Sequence, residues 1–189
     1  MTNGDLRHLT AGIHLVRHGQ STWNAVRRIQ GQTAHVPLTA LGHQQARQAA
    51  ARLTGCGART VFSSDLRRAV QTAVPIAERL GLTVTLEPGL RERSLGDFEG
   101  QQSAEAWATA QNGWSDPSWR PPGGESIGDV CVRLALFLRR LHAVPDPSPV
   151  IVVTHGDTAA IALGLLRGFP PDALPWLSLA NGEVVAVPA

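Results

Sequence analysis

The sequence predicts an α/β fold: a three-layer α/β/α sandwich around a mostly parallel central sheet. Two observations carry this. Short β-rich apolar runs alternate along the chain with segments of helical period, and three of those runs break off abruptly at junctions of His, Gly and Ser. A length of 189 residues suits one domain with a layer of strands covered on both sides. We therefore expect a single domain over 1–189, with a cap-like insertion at about 97–125.

Ile13 to Val16 reads as the first strand and halts at Arg17-His18-Gly19. Leu38, Leu41, Ala46, Ala49, Ala50 and Leu53 keep helical spacing, with Thr39 as the cap and Gly55 as the stop. Thr60 to Phe62 is a second strand, halting at Ser63-Ser64. Ser64 is expected to cap a helix carrying Leu66, Ala69, Ala73, Ile76, Ala77 and Leu80, in which Pro75 removes one backbone bond or introduces a kink. Thr83 to Leu86 is a third strand. The stretch from Glu87 to Gly124 is loop-rich, with one helix at about 101–110, and is the expected seat of specificity. Ser126-x-x-Asp129 forms a capping box opening a helix that ends near Pro145. Val150 to Val153 is the most apolar strand, halting at Thr154-His155-Gly156; a helix to about Leu166 and a strand over Val184 to Val187 complete the chain.

Composition excludes several classes. Hydrophobic residues make up 43% and charged residues 17%, which is globular, and no run approaches the roughly 20 apolar residues of a membrane helix. The first twelve residues have neither the apolar stretch nor the cleavage site of a secretory leader, so a cytoplasmic enzyme is expected. All 17 basic residues are arginine, planar forks suited to bidentate phosphate or carboxylate binding. Net charge is only +2 without a dense basic run, which argues against nucleic acid as a partner. Cys56 and Cys131 match no metal or redox spacing and are expected to be reduced. His8, His14, His18, His35, His43, His142 and His155 show no ligand spacing either, so neither metal nor cofactor is expected.

In open α/β sheets ligands bind at the carboxyl ends of strands, and His18, Ser64 and His155 each follow a predicted strand. Both histidines are followed by Gly and then a helical segment, whose first N–H groups could hold an anion beside an imidazole. Arg17 and Arg68 also lie near strand ends.

These residues resemble the histidine phosphatase, or phosphoglycerate mutase-like, superfamily. The similarity runs from Leu15-Val16-Arg17-His18-Gly19-Gln20-Ser21 through Thr22-Trp23-Asn24 and Gln30-Gly31. It continues through Ser63-Ser64-Asp65-Leu66-Arg67-Arg68-Ala69 with Gln71-Thr72-Ala73, and Leu90-Arg91-Glu92 with Gly96 and Glu99-Gly100. It closes with Gly124-Glu125-Ser126 and Val153-Thr154-His155-Gly156.

The resemblance implies a phosphomonoesterase without metal. His18, neutral, would be the nucleophile, with Gly19 giving room for close approach. Arg17, Arg68 and His155 would hold the phosphoryl oxygens with Asn24 as a further donor, and Ser21, Gly31 and Gly156 would belong to the same phosphate-binding set. Arg67, beside Arg68, would be solvated. Glu92 would protonate the leaving oxygen and then activate water. Asp157 is a rival donor, since a distant branch places Asp directly after its second His; here a Gly intervenes.

The family includes both mutases and phosphatases. Mutases add Lys and Tyr contacts and a longer insertion, whereas this chain has neither residue type; hydrolysis of a small phosphorylated metabolite is favoured. The alternatives are a phosphoglycerate mutase and a non-catalytic module that binds phosphorylated ligands. Trp107, Trp114 and Trp119 would either pack the insertion onto the domain or form a stacking wall for substrate, and Arg120 would either select a substrate carboxylate or be solvated. Oligomeric state is left open, a homodimer included.

Overall fold

The computed structural model describes residues 12–110, 116–143, 148–175 and 177–188. Their elements in chain order are β1 (Ile13–Arg17), α1 (Thr22–Ala25), α2 (Ala40–Arg52), β2 (Thr60–Ser63), α3 (Arg67–Leu80), β3 (Val84–Leu86), α4 (Ser103–Ala110), α5 (Ile127–His142), β4 (Val150–Thr154), α6 (Gly156–Leu166) and β5 (Val184–Val187). Two 3₁₀ turns, Pro88–Leu90 and Gly96–Phe98, lie between β3 and α4.

The strands form one sheet in the order β3-β2-β4-β1-β5. All neighbours are parallel except β5, which pairs antiparallel with β1. Alternation along the strands sends side chains to opposite faces. Ile13, Leu15 and Val152 pack with α5 and α6; Val16, Val61, Ile151 and Val153 pack with α2 and α3. The expected three-layer sandwich is therefore what forms, and its central strands are buried on both sides.

Several local expectations are corrected. Leu66, not Ser64, is the N-cap of α3 and makes no side-chain capping bond; the Ser64 hydroxyl accepts only a 3.3 Å bond from the Leu66 N–H and is committed elsewhere. At Pro75 the first of the two expected outcomes holds: α3 continues through it with one backbone bond missing, and its face carrying Ala69, Ala73, Ile76 and Ala77 is buried. Burial of this kind contributes about 25 cal/mol per Å², enough to offset one missing backbone bond. α2 stops at Arg52 with Leu53 as its cap, and Gly55 supplies a positive φ in the turn that follows. Helix α1 is a single turn, much less than the segment expected after His18. The Ser126–Asp129 capping box forms as read. The predicted end of that helix near Pro145, Trp114 and the first eleven residues lie outside the described residues.

Within the stretch around 97–125, Phe98 and Ala106 form a small cluster with Ile29, joined by Leu95, Ala110 and Trp119. No helix among the described residues is long and apolar enough to cross a membrane.

Candidate active site

The register of the central strands builds the site. β1 and β4 are parallel neighbours with Arg17 opposite Thr154, so His18 and His155, each one residue further on, leave the sheet side by side. Their rings lie 5.1 Å apart, edge to face. The end of β2 brings Ser63 and Ser64 to the same edge, since Ser63 pairs with Val153.

His18 is buried, and its Nδ1 donates to the Gly19 carbonyl at 2.7 Å. A carbonyl only accepts, so the proton sits on Nδ1 and the lone pair on Nε2. The Asn181 amide donates to the His18 carbonyl at 3.1 Å. Burial pushes the His18 imidazole well below the ordinary value, Arg68 and Arg17 push it further, and the Gly19 bond only partly offsets them. The ring is neutral at physiological pH and keeps a nucleophilic nitrogen.

His155 is the N-cap of α6. Its Nε2 shares a 2.8 Å hydrogen bond with the Ser64 hydroxyl, which explains why that serine is not spent on capping α3. Burial first, then Arg68, holds this imidazole well below its ordinary value as well.

Arg68 is almost wholly buried, whereas Arg67 points to solvent. Arg68 donates through Nη1 to the Thr33 carbonyl at 2.9 Å and through Nη2 to the Gly31 carbonyl at 2.7 Å. Burial lowers it to about 10, opposed by Glu92 and Glu99, so it remains a cation at neutral pH. Arg17 donates through Nη1 to the Leu179 carbonyl. Among the described residues, three buried side-chain nitrogens have no hydrogen-bond partner: Arg17 Nε, Arg68 Nε and His155 Nδ1. Both arginines act electrostatically on both imidazoles, and the His155 ring is the edge-to-face neighbour of the His18 ring. Buried polar groups are rarely left unpaired, and such a set suits an oxyanion.

Glu92 follows the first 3₁₀ turn and reaches the start of α6. Its carboxylate accepts from the N–H groups of Arg93 (3.0 Å), Asp157 (3.3 Å) and Thr158 (3.1 Å), and from the Thr158 hydroxyl at 3.0 Å. The Thr154 hydroxyl donates to the Leu90 carbonyl at 2.6 Å, fixing the same loop to β4. Asp157 lies in the first turn of α6. Burial raises its carboxyl to about 7, Glu92 adds to the rise, and Arg93 and Arg17 oppose it.

Other expected contacts have structural duties. The Gly19 N–H donates to the Thr72 hydroxyl at 3.0 Å, and a Cβ at Gly19 would lie 2.3 Å from the Gly42 carbonyl oxygen. The passing backbone of α2 requires glycine there. Ser21 caps α1 and donates to Gln30 Oε1 at 2.7 Å. Gly31 supplies the carbonyl that holds Arg68, and a Cβ there would meet Glu99 at 2.1 Å. Asn24 uses Oδ1 for the Ser21 N–H (3.0 Å) and the Asn181 amide (3.3 Å), which turns its amide nitrogen away from both bonds. At Gly156 a Cβ would stand 3.4 Å from Arg17 Cζ.

Trp119 packs on Phe98 and under the Arg93 guanidinium, 5.7 Å from its ring centre. Trp107 is half exposed, and Arg120 pairs with Asp129 at 2.9 Å on the surface. Sequence reasoning missed Thr72, Thr158 and Asn181 as positioning groups, and the Ser64 bond to His155. Thr72 and Ser64 stand inside the quoted motifs, so a signal was present; Thr158 and Asn181 carried none.

An α/β sandwich with two neutral imidazoles, a buried Arg68 and a partly buried Arg17 at the carboxyl edge of its sheet defines a phosphoryl-handling enzyme class. Residues 13–188 match the histidine phosphatase superfamily (branch 1), and the chain belongs to that family. It is similar to a protein named probable phosphoglycerate mutase GpmB from Enterobacter sp. (strain 638), with 39% identity over 91% of this chain and 82% of the relative. Among solved structures it resembles a mycobacterial glucosyl-3-phosphoglycerate phosphatase in complex with VO3. That match has a TM-score of 0.85 and 34% identity, covering 93% of this chain and 92% of that one. A putative α-ribazole-5′-P phosphatase from Escherichia coli matches with a TM-score of 0.81 and 28% identity over 93% of this chain and 89% of that one. The chain is thus an enzyme of the histidine phosphatase class.

Proposed function

We propose that this protein is a metal-independent phosphomonoesterase that acts on a small phosphorylated metabolite through a phosphohistidine on His18. The observation that carries the reading is that three buried nitrogens, Arg17 Nε, Arg68 Nε and His155 Nδ1, have no partner, while the His18 imidazole next to His155 has its proton fixed on Nδ1. His18 Nε2 attacks phosphorus in line as the ester P–O bond breaks. The arginines and His155 stabilise charge on the equatorial oxygens, work that many phosphoryl-transfer enzymes assign in part to Mg²⁺. Glu92, held by the first N–H groups of α6 and entering the step protonated, delivers its proton to the departing alkoxide and becomes a carboxylate. It then takes a proton from the water that cleaves the N–P bond, which releases phosphate and restores neutral His18.

The names of the structural neighbours support hydrolysis, and the name of the curated relative supports a second reading as a phosphoglycerate mutase. The chain lacks Lys and Tyr, the residue types expected to hold a bisphosphate, so hydrolysis is preferred. The test is release of p-nitrophenol from p-nitrophenyl phosphate in excess EDTA. We expect turnover to survive the chelator and to disappear in His18→Ala; loss on chelation would overturn the mechanism. Transfer between positions of phosphoglycerate without release of phosphate would identify the mutase.

A further inference from the structure

Beside Glu92 the structure holds a recess of about 50 Å³ that the catalytic residues do not fill. Its walls include Ile127 at the start of α5, Ala160 of α6, and Leu174 and Leu177 from the stretch after α6; Arg93 and Asp157 are the polar residues of the lining. We propose that this recess is the leaving-group subsite and that it selects phosphomonoesters of small, predominantly apolar alcohols. The proposal rests on the phosphomonoesterase reading above and adds the substrate class.

Three observations lead there. The first is position. A general acid must touch the leaving oxygen, so whatever that oxygen carries departs past Glu92. The recess is bounded by the residue following Glu92 in the chain, Arg93, and by Asp157, whose N–H donates to the Glu92 carboxylate at 3.3 Å.

The second is chemistry. The guanidinium of Arg93 spends its Nε on the Glu125 carbonyl at 2.7 Å and one Nη2 donor on the Trp119 carbonyl at 3.0 Å, which leaves part of its donor set for a ligand. Asp157 is the other polar side chain on the lining. A sugar or polyol would bury several hydroxyls against carbon with few partners, at a cost for each one left unsatisfied. A hydrocarbon arm gains on entering.

The third is size and rigidity. An engineered cavity of about 150 Å³ takes benzene, and roughly 10–15 Å³ holds one water; the space here accommodates about three to five carbons, and a larger leaving group fills it only in part. Leu174 is held against α6, where a Cβ at Gly164 would lie 2.6 Å from Leu174 Cδ2. The wall is packed in place without substrate.

The test is a series of n-alkyl phosphates from methyl to hexyl, with glycerol 1-phosphate as the polar counterpart of propyl phosphate. Simple alkanols leave with nearly equal basicity, so kcat/KM reads contact with the leaving group. We expect a rise of about fourfold per methylene, levelling off near four carbons, and glycerol 1-phosphate at least about tenfold below propyl phosphate. Ala160→Leu should fill the recess and make the series level off at a shorter chain; competitive inhibition by inorganic phosphate reports that the rest of the site is assembled. If that variant does not fold, Leu177→Asn should lower the propyl-to-glycerol ratio instead. A flat series, or glycerol 1-phosphate matching propyl phosphate while p-nitrophenyl phosphate is turned over, overturns the subsite and leaves the phosphatase reading standing. Absence of turnover with every phosphomonoester, p-nitrophenyl phosphate included, overturns both.

Discussion

The two His-Gly junctions are the same dipeptide at the ends of neighbouring parallel strands, yet they are built for different work. After β1, the Gly19 carbonyl takes the His18 Nδ1 proton and the Gly19 N–H is tied to Thr72, so the ring is fixed with Nε2 outward. After β4, His155 opens an eleven-residue helix, bonds Ser64 through Nε2 and keeps Nδ1 unpartnered. The residues in register before them differ in the same sense. Arg17 contributes a cation to the site, whereas Thr154 hooks the loop that carries Glu92. On the proposed mechanism a histidine becomes nucleophile or clamp according to which of its nitrogens its neighbours consume, the Gly19 carbonyl taking Nδ1 of His18 and the Ser64 hydroxyl taking Nε2 of His155.

The largest effect that would break this comparison is at the clamp. His155→Ala should lower kcat by about 10²- to 10³-fold, the usual consequence of losing one group that stabilises the transition state. Rapid-quench labelling from a ³²P-phosphomonoester should still detect phosphate on His18 in that variant, formed slowly. Equal loss of labelling in His155→Ala and His18→Ala would show that the two rings are not distinct in role.

The glycines should separate next. Gly19→Ala forces a Cβ to within 2.3 Å of the Gly42 carbonyl, and overpacking of this sort costs about 1–3 kcal/mol. A melting temperature lower by roughly 2–12 °C is expected for a chain of this size. Gly156→Ala occupies the first turn of α6 with its nearest contact 3.4 Å away on Arg17. There alanine's better helix propensity, worth up to about 1 kcal/mol, should leave the melting temperature unchanged or slightly higher.

The smallest effect concerns pH. Both imidazoles are lowered, so the neutral nucleophile persists on the acid side and turnover should extend below pH 6.5, where an ordinary histidine protonates. Asp157 is raised to about 7. Its carboxyl is neutral below that pH and becomes an anion above it, beside Glu92 and a dianionic substrate. Activity should therefore fall as pH rises through about 7, and Asp157→Asn should remove the alkaline limb by a few-fold while leaving the acid side in place. A wild-type pH–rate profile that is flat from 6 to 8.5 would remove Asp157 from the site's electrostatics.

What could be read without a structure was mostly what repeats or punctuates. The strands were legible because buried parallel strands are continuous apolar runs that stop where the chain leaves the sheet. Helices α2, α3, α5 and α6 announced themselves by apolar period and by caps such as Thr39 and Ser126. The cap assigned to Ser64 misled because a serine ahead of a helix serves equally well as a hydrogen-bond partner for a distant histidine. The excursion around 97–125 was legible only as loop-rich, since its Ile29–Phe98–Ala106 cluster joins residues about 70 positions apart in the chain.

The sequence alone determined the α/β class, the family and the residue types at the strand ends, because alternation, capping and motif order are local properties of the chain. Tertiary structure decided which nitrogen of each histidine is spent, why Gly19 is glycine, how α6 presents its first N–H groups to Glu92, and that a carbon-walled recess adjoins that acid. Apart from the His18 bond to its neighbour Gly19, these depend on strand register and on contacts between residues about 20 to 90 positions apart, and no local pattern of residues encodes the distances that make them.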